Sequence, residues 1–215
     1  MTPIQLITIS REFGAGGSLL GYLLAQRLGW RLLDKELGRT IAQRLDCSTA
    51  EIAVADEHAP SLIERVAAAF TVAPPEAPIL LTPPPSSDPD RVAACARAVL
   101  TEAVRTPPLI IIGHGAQCLF HDRSDALHLR LVAPTEQRIA TVQARSGQSA
   151  SEAAQAVRHR DIDRAHYLRR YYDADWTDPH LYALEINTGV VPVETAAELV
   201  LQLVHLREEA AVPSA

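Results

Sequence analysis

Apolar and polar positions alternate through Ile4-Gln5-Leu6-Ile7-Thr8-Ile9, give way to the glycine-rich stretch SREFGAGGS (10–18), and resume at Leu19, Leu20, Leu23, Leu24 and Leu28 with the spacing of a helix face. That change of period predicts strand, loop, helix. Gly29 is placed to end the helix, and WRLLD (30–34) reads as a short second strand closing on an acid, with a helix from about Lys35 to Leu45 behind it. Residues 50–70 carry Ile52, Leu62, Ile63, Val66 and Phe70 on one apolar face. Seven prolines follow within residues 71–90, which excludes extended regular structure there and predicts a loop. A helix over about 90–105 leads into LIIIGHG (109–115), whose unbroken apolar run suits a central strand covered on both faces. ALHLRLVAP (126–134) alternates again, with a helix to about Arg145. SASE (149–152) has the form of a capping box opening a long polar helix to about Tyr172, YALEIN (182–187) is the last strand, and 193–208 is a closing amphipathic helix.

Five strand candidates, each followed by a helix, give the βαβ rhythm of a parallel sheet. In such sheets, ligands gather at the carboxyl ends of the strands. The expected architecture is a three-layer α/β/α domain over residues 1–215. Its core spans about 1–48 and 105–215, a helical and proline-rich insertion spans about 49–104, and a lid spans about 147–172.

The loop after the first strand sets the chemistry. A strand, a glycine loop and a helix together cradle phosphates, because the helix N-terminus offers N–H groups without intrahelical partners and the positive end of a dipole. Laid over the Walker pattern G-x-x-x-x-G-K-[ST], the stretch puts Arg11 on the first glycine, Gly16 on the second, Gly17 on the lysine and Ser18 on the hydroxyl. Two of the four places fit. The dinucleotide fingerprint G-x-G-x-x-G fits less well, since Leu19 stands where its last glycine belongs and Ser10 to Phe13 intervene before the first. A turn that merely connects strand and helix is the remaining alternative.

Composition narrows the candidates further. Lys35 is the only lysine against nineteen arginines, so cationic work on phosphate falls to arginine almost everywhere. A net charge of −6 argues against general affinity for nucleic acid. Even so, residues 138–170 hold seven arginines against Glu152, Asp161 and Asp163, a local basic stretch able to meet a small polyanion. With 47% hydrophobic residues the 215-residue chain can bury a full core. No run of eighteen apolar residues and no charged-then-apolar leader is present, so the expected address is the cytoplasm and no membrane partner is expected. Cys47, Cys95 and Cys118 are odd in number and widely spaced, which suggests buried free thiols.

ITISREFGAGGSLLGYLLAQRLGWRLLDKEL, IIIGHGAQCLF, LHLRLVAPTEQRI and RDIDRAHYLRRYYDADWTDPHLYALEINTG, with the final helix, resemble the cytidylate kinase-like family of P-loop proteins. The resemblance implies a P-loop, nucleoside monophosphate kinase-like fold. Gly14, Ala15, Gly16 and Gly17 match the loop that holds donor phosphates, and Ser18 matches the hydroxyl that meets Mg²⁺. Arg11 is the candidate to replace the missing lysine. Asp34 and Arg39 resemble the acid and arginine of the acceptor-binding segment. At His114 the family tends to carry an arginine facing the acceptor phosphate, and histidine lacks both its permanent charge and its bidentate fork.

RHRDIDR (158–164) is similar to the arginine-rich lid of these kinases. On a helix Arg160 and Arg164 share a face and Asp161 can orient Arg164. Phosphoryl transfer asks mainly for positioning and positive charge, so Arg11, Arg160, Arg164 and Asp161 are the candidate catalytic group. The expected activity is transfer of the γ-phosphoryl of ATP, with Mg²⁺, to a small acceptor such as CMP. Loss of the lysine keeps open a catalytically impaired nucleotide binder acting as a sensor or interaction module, and also a relic that binds no nucleotide.

Overall fold

The computed structural model describes residues 2–45 and 89–211. The expected helix over 50–70, most of the proline-rich loop and Cys47 lie outside the described residues. Strand β1 (Leu6–Arg11) runs into α1 (Gly17–Leu28), β2 (Arg31–Leu33) into α2 (Lys35–Leu45), and α3 (Pro89–Ala103) precedes β3 (Leu109–Ile112). A short α4 (Ala116–Leu119) leads to β4 (Ala126–Val132). Then come α5 (Thr135–Ser146), α6 (Ala150–Tyr172), a 3₁₀ turn, β5 (Leu184–Asn187) and α7 (Val193–Glu209).

The five strands form one sheet in the order β2-β3-β1-β4-β5, and every pairing is parallel. One face is covered by α1 and α7, where Leu20, Leu24, Val200 and Val204 bury against Ile7, Ile9, Ile110, Ile112 and the leucines of β4. On the other face α2, α3 and α4 bury Leu37, Ile41, Val92, Val99, Leu100 and Phe120 against Leu6, Leu33, Leu109 and Ile111. Each such side chain contributes about 1.5–3 kcal/mol over an exposed one, which makes the sandwich the main source of stability.

Polar and apolar residues mix along β1, yet all six are buried. The cause is its central place: with both faces covered, its polar positions find partners inside. Thr8 Oγ1 lies 2.7 Å from Nδ1 of His128, its register partner on β4. Ser10 receives the Tyr182 hydroxyl at 3.4 Å. Arg130, opposite Ser10, sits over the rings of Trp176 and Tyr182 and pairs with Glu185. Trp176 is thereby a packing anchor.

Local signals at helix ends behave as their chemistry requires. Gly29 closes α1 in the left-handed region at φ 69°. The Ser149 side chain accepts from Glu152 N while Glu152 returns to Ser149 N, a complete capping box. Cys95 and Cys118 are half-buried, and burial pushes the Cys118 thiol up to about 11, where it stays protonated and inert. Among the described residues no helix is long and apolar enough to cross a membrane.

Candidate functional site

From the end of β1 the chain turns through Glu12, Phe13, Gly14, Ala15 and Gly16 into the first turn of α1. Gly14 and Gly16 both take φ +89°, a region closed to most side chains. Space is closed as well: a Cβ on Gly14 would come within 2.8 Å of the Arg138 carbonyl oxygen, and one on Gly16 within 2.7 Å of Val193. Gly16 is the N-cap of α1 and supplies no side-chain cap. The first N–H groups of α1 therefore have no acceptor within their own helix.

An open cleft of about 200 Å³ lies over this turn. It brings together Arg11, Gly14, Gly16, Gly17, Ser18, Asp34 and Arg164 of the predicted residues, with Glu12, Phe13 and Arg145 beside them. Ser18 is exposed on its wall, and Asp34, at the end of β2, is half-buried. Ala15 is buried under the turn, donating its N–H to the Glu12 carbonyl at 3.1 Å and accepting the Thr188 hydroxyl at 3.1 Å. Arg39 is exposed on α2 and His114 is buried after β3, and neither lines this cleft.

The lysine position has a definite occupant. A Cβ on Gly17 would meet Arg11 Cγ at 2.8 Å, Cβ at 3.0 Å and Cδ at 3.2 Å. The Arg11 stem thus fills the volume that a side chain at 17 would need, while Arg11 itself is 7% exposed and borders the cleft. Arg11 and Gly17 are complementary in shape.

Residues of α5 and α6 hold the loop from above. Arg138, also buried, donates Nη1 to Asp161 Oδ2 at 2.6 Å, Nε to the Ala133 carbonyl at 2.9 Å and Nη1 to the Phe13 carbonyl at 3.2 Å. Asp161 Oδ1 accepts the Phe13 N–H at 2.8 Å. Arg164 donates Nη1 to the Arg11 carbonyl at 2.6 Å and lies 4.0 Å from Asp161, so the aspartate's short contacts are with Arg138 and the loop rather than with Arg164. Glu12 accepts the Ala133 N–H at 3.0 Å and lies 3.3 Å from Arg138 Nε. Arg160 sits 5.8 Å from the centre of the Phe13 ring.

Arg138, Phe13, Glu12 and Arg145 are the site residues that sequence reasoning passed over. Both arginines belong to the basic stretch 138–170, which marked the region without separating a buried arginine from an exposed one. Phe13 and Glu12 carried no such signal.

After β3, Gly113, His114 and Gly115 all take positive φ, at 79°, 58° and 66°. Tyr172 at the end of α6 donates its hydroxyl to the His114 carbonyl at 3.2 Å, and its ring fills the place of a Gly115 Cβ. The turn is held against the far end of the helix whose middle braces the glycine loop.

The model of the cytidylate kinase-like family matches residues 6–190. No curated protein matches the chain in sequence. Among solved structures, an uncharacterized protein from Eubacterium ventriosum is 19% identical, with 93% of this chain and 98% of that one covered and a TM-score of 0.67. The shikimate kinase of Acinetobacter baumannii, solved in complex with shikimate, is 16% identical over 94% and 93%, TM-score 0.52. That of Bacteroides thetaiotaomicron is 13% identical over 93% and 98%, TM-score 0.51. The likeness to these structures is one of fold: a five-stranded parallel sheet between helices, as in P-loop kinases.

Proposed function

Because the chain belongs to the cytidylate kinase-like family, we propose that it is a nucleotide-binding phosphotransferase that moves the γ-phosphoryl of ATP to a small acceptor, a nucleoside monophosphate such as CMP. The observation that carries this reading is the uncapped glycine turn at α1, with Arg11 laid across Gly17 and Ser18, Asp34 and Arg145 around one cleft. The loop amides of Gly14, Gly16, Gly17 and Ser18 hold the donor phosphates, and Ala15, whose N–H donates to the Glu12 carbonyl, shapes the turn beneath them. Ser18 offers the hydroxyl oxygen that would hold Mg²⁺ through the nucleotide, and the ion would screen the phosphate charge. Residues 147–172 act as the lid of the single domain. Arg11, with Arg160 and Arg164 from the lid, offsets the charge that develops as the acceptor oxygen bonds to phosphorus, the bridging oxygen leaves with ADP and the acceptor proton passes to solvent. Asp161 keeps this group in place. Asp34, Arg39 and His114 serve the acceptor side.

A second reading, nucleotide binding without transfer, is favoured by one observation: Gly17 stands where a lysine is expected. Backbone amides would still bind phosphate, but a site short of one cation loses rate steeply.

The test is ADP formation from Mg²⁺–ATP with a panel of nucleoside monophosphates, beside the melting temperature with and without ATP. The proposal expects acceptor-dependent turnover that falls about 10²–10³-fold in Arg11→Ala. Gly17→Lys is expected to fail as well, because its stem collides with Arg11, and the double variant Arg11→Ala/Gly17→Lys to recover part of the loss. Silence with every acceptor, while ATP still raises the melting temperature, selects the second reading. No thermal shift and no turnover overturns both.

A further inference from the structure

Phe13 stands between the last strand residues and the first loop glycine, and each of its groups is held by the α5–α6 hairpin. Its N–H goes to Asp161 Oδ1 at 2.8 Å, and its carbonyl accepts Arg138 Nη1 at 3.2 Å. Its ring packs with Ile139, Val142, Ala153 and Val157 and lies 5.8 and 5.7 Å from the guanidinium carbons of Arg160 and Arg164. Two residues earlier, the Arg11 carbonyl accepts Arg164. Asp161 and Arg138 close the frame at 2.6 Å, with side chains only 17% and 7% exposed.

A turn with glycines at 14, 16 and 17 has little order of its own, since glycine loses the most backbone freedom on being fixed. Something outside the turn must hold it. We infer that Phe13 latches the glycine loop to the α5–α6 hairpin, with Asp161 and Arg138 as positioning residues, so that loop and hairpin order as one unit and the loop keeps its anion-holding shape only while the hairpin is docked. The functional half of this inference rests on the phosphate-binding reading of the loop, whereas the structural half does not.

Coupling of this kind is reciprocal: what orders the hairpin lowers the ordering cost of binding at the loop, and binding at the loop orders the hairpin. Asp161 joins the two parts, because its Oδ1 accepts the Phe13 N–H and its Oδ2 accepts the Arg138 guanidinium. Its loss leaves a loop N–H and a buried guanidinium without their carboxylate.

The experiment is amide hydrogen exchange on the full chain without nucleotide, paired with calorimetric titration of Mg²⁺–ATP, for wild type, Asp161→Asn, Phe13→Leu and Phe13→Ala. Val204→Ala, which opens the core near the opposite end of α7, is the control that lowers melting temperature without touching the latch. The latch expects protection to fall together over residues 12–18 and over α6 in Phe13→Ala, with the two milder variants following in smaller degree. It also expects the ATP dissociation constant to rise at least tenfold in Phe13→Ala and to stay unchanged in Val204→Ala. Exchange that rises in α6 while the loop keeps its protection overturns the latch. An affinity unchanged within twofold in all three latch variants overturns its functional half. Should wild type bind no ATP, the nucleotide reading fails while the exchange data still decide the latch. If Phe13→Ala does not fold, Phe13→Leu and Asp161→Asn carry the same decision.

Discussion

Arg138 and Arg145 lie two turns apart on one helix, yet they do different work. Arg138 is buried and gives its donors to Asp161, Thr135 and the carbonyls of Ala133 and Phe13. Arg145 is exposed, in the last turn of α5, and borders the cleft. On α6, Arg164 resembles Arg138, being buried and bound to a backbone carbonyl of the loop. The difference teaches that a basic stretch is not one functional unit: Arg138 holds the backbone that a ligand would meet, Arg145 is left to meet the ligand, and Arg164 does both, bracing the Arg11 carbonyl while lining the cleft.

The sharpest way to break that comparison is Arg138→Ala. It leaves the Asp161 and Glu12 carboxylates, 17% and 20% exposed, without their shared cation. Removing one partner of a buried ion pair costs about 3–5 kcal/mol, so the urea midpoint should fall accordingly. A loss under about 1 kcal/mol would put Arg138 in the same class as Arg145. The converse variant, Arg145→Ala, is expected to leave stability within about 0.5 kcal/mol of wild type. Its effect belongs on Mg²⁺–ATP affinity, with about a tenfold loss, or ~1.4 kcal/mol, by calorimetry. A stability loss with intact affinity would reverse the assignment.

The smallest effect concerns a half-buried basic group remote from the hairpin and asks whether partial burial gives a charge signature. Burial holds His128, bonded to Thr8, below the ordinary histidine value. The unfolded chain then takes up that proton first, so stability present above about pH 6.5 is lost as pH falls toward the lower native value. His128→Gln should flatten the slope of stability against pH in that window. An unchanged slope would show that His128 titrates as freely in the native state as in the unfolded one.

Much of the fold was legible because local chemistry decided it. The period change across residues 4–28, Gly29 as a helix stop and the SASE capping box all act within a few residues; the helix stop and the capping box appear where the sequence puts them, and β1 runs two residues past its alternation, to Arg11. The unbroken apolar run at 109–112 marked a strand covered on both faces, and β3 is buried throughout. Alternation in β1 was the weaker guide. It reports which side chains are polar but not whether a second layer will cover them, and only the partners on β4 and the segment around Tyr182 made Thr8 and Ser10 interior residues.

The candidate site divides the same way. Gly14, Gly16, Gly17 and Ser18 were readable because a glycine loop between strand and helix is a local pattern, and they line the cleft with Arg11. Arg138 and Asp161 were not readable as a pair: 23 residues separate them, and each makes contacts 125 or more residues away, with Phe13.

By itself the sequence determined the five strand-and-helix units, the uncapped glycine turn and the absence of lysine from that turn, since each rests on backbone preference and side-chain type along a short stretch. Only the tertiary structure decided that the Arg11 stem fills the space above Gly17 and that Phe13 is held by two helices from the other half of the chain. Contacts of that kind depend on which surfaces meet when parallel strands bring distant segments side by side, and no local preference encodes that meeting.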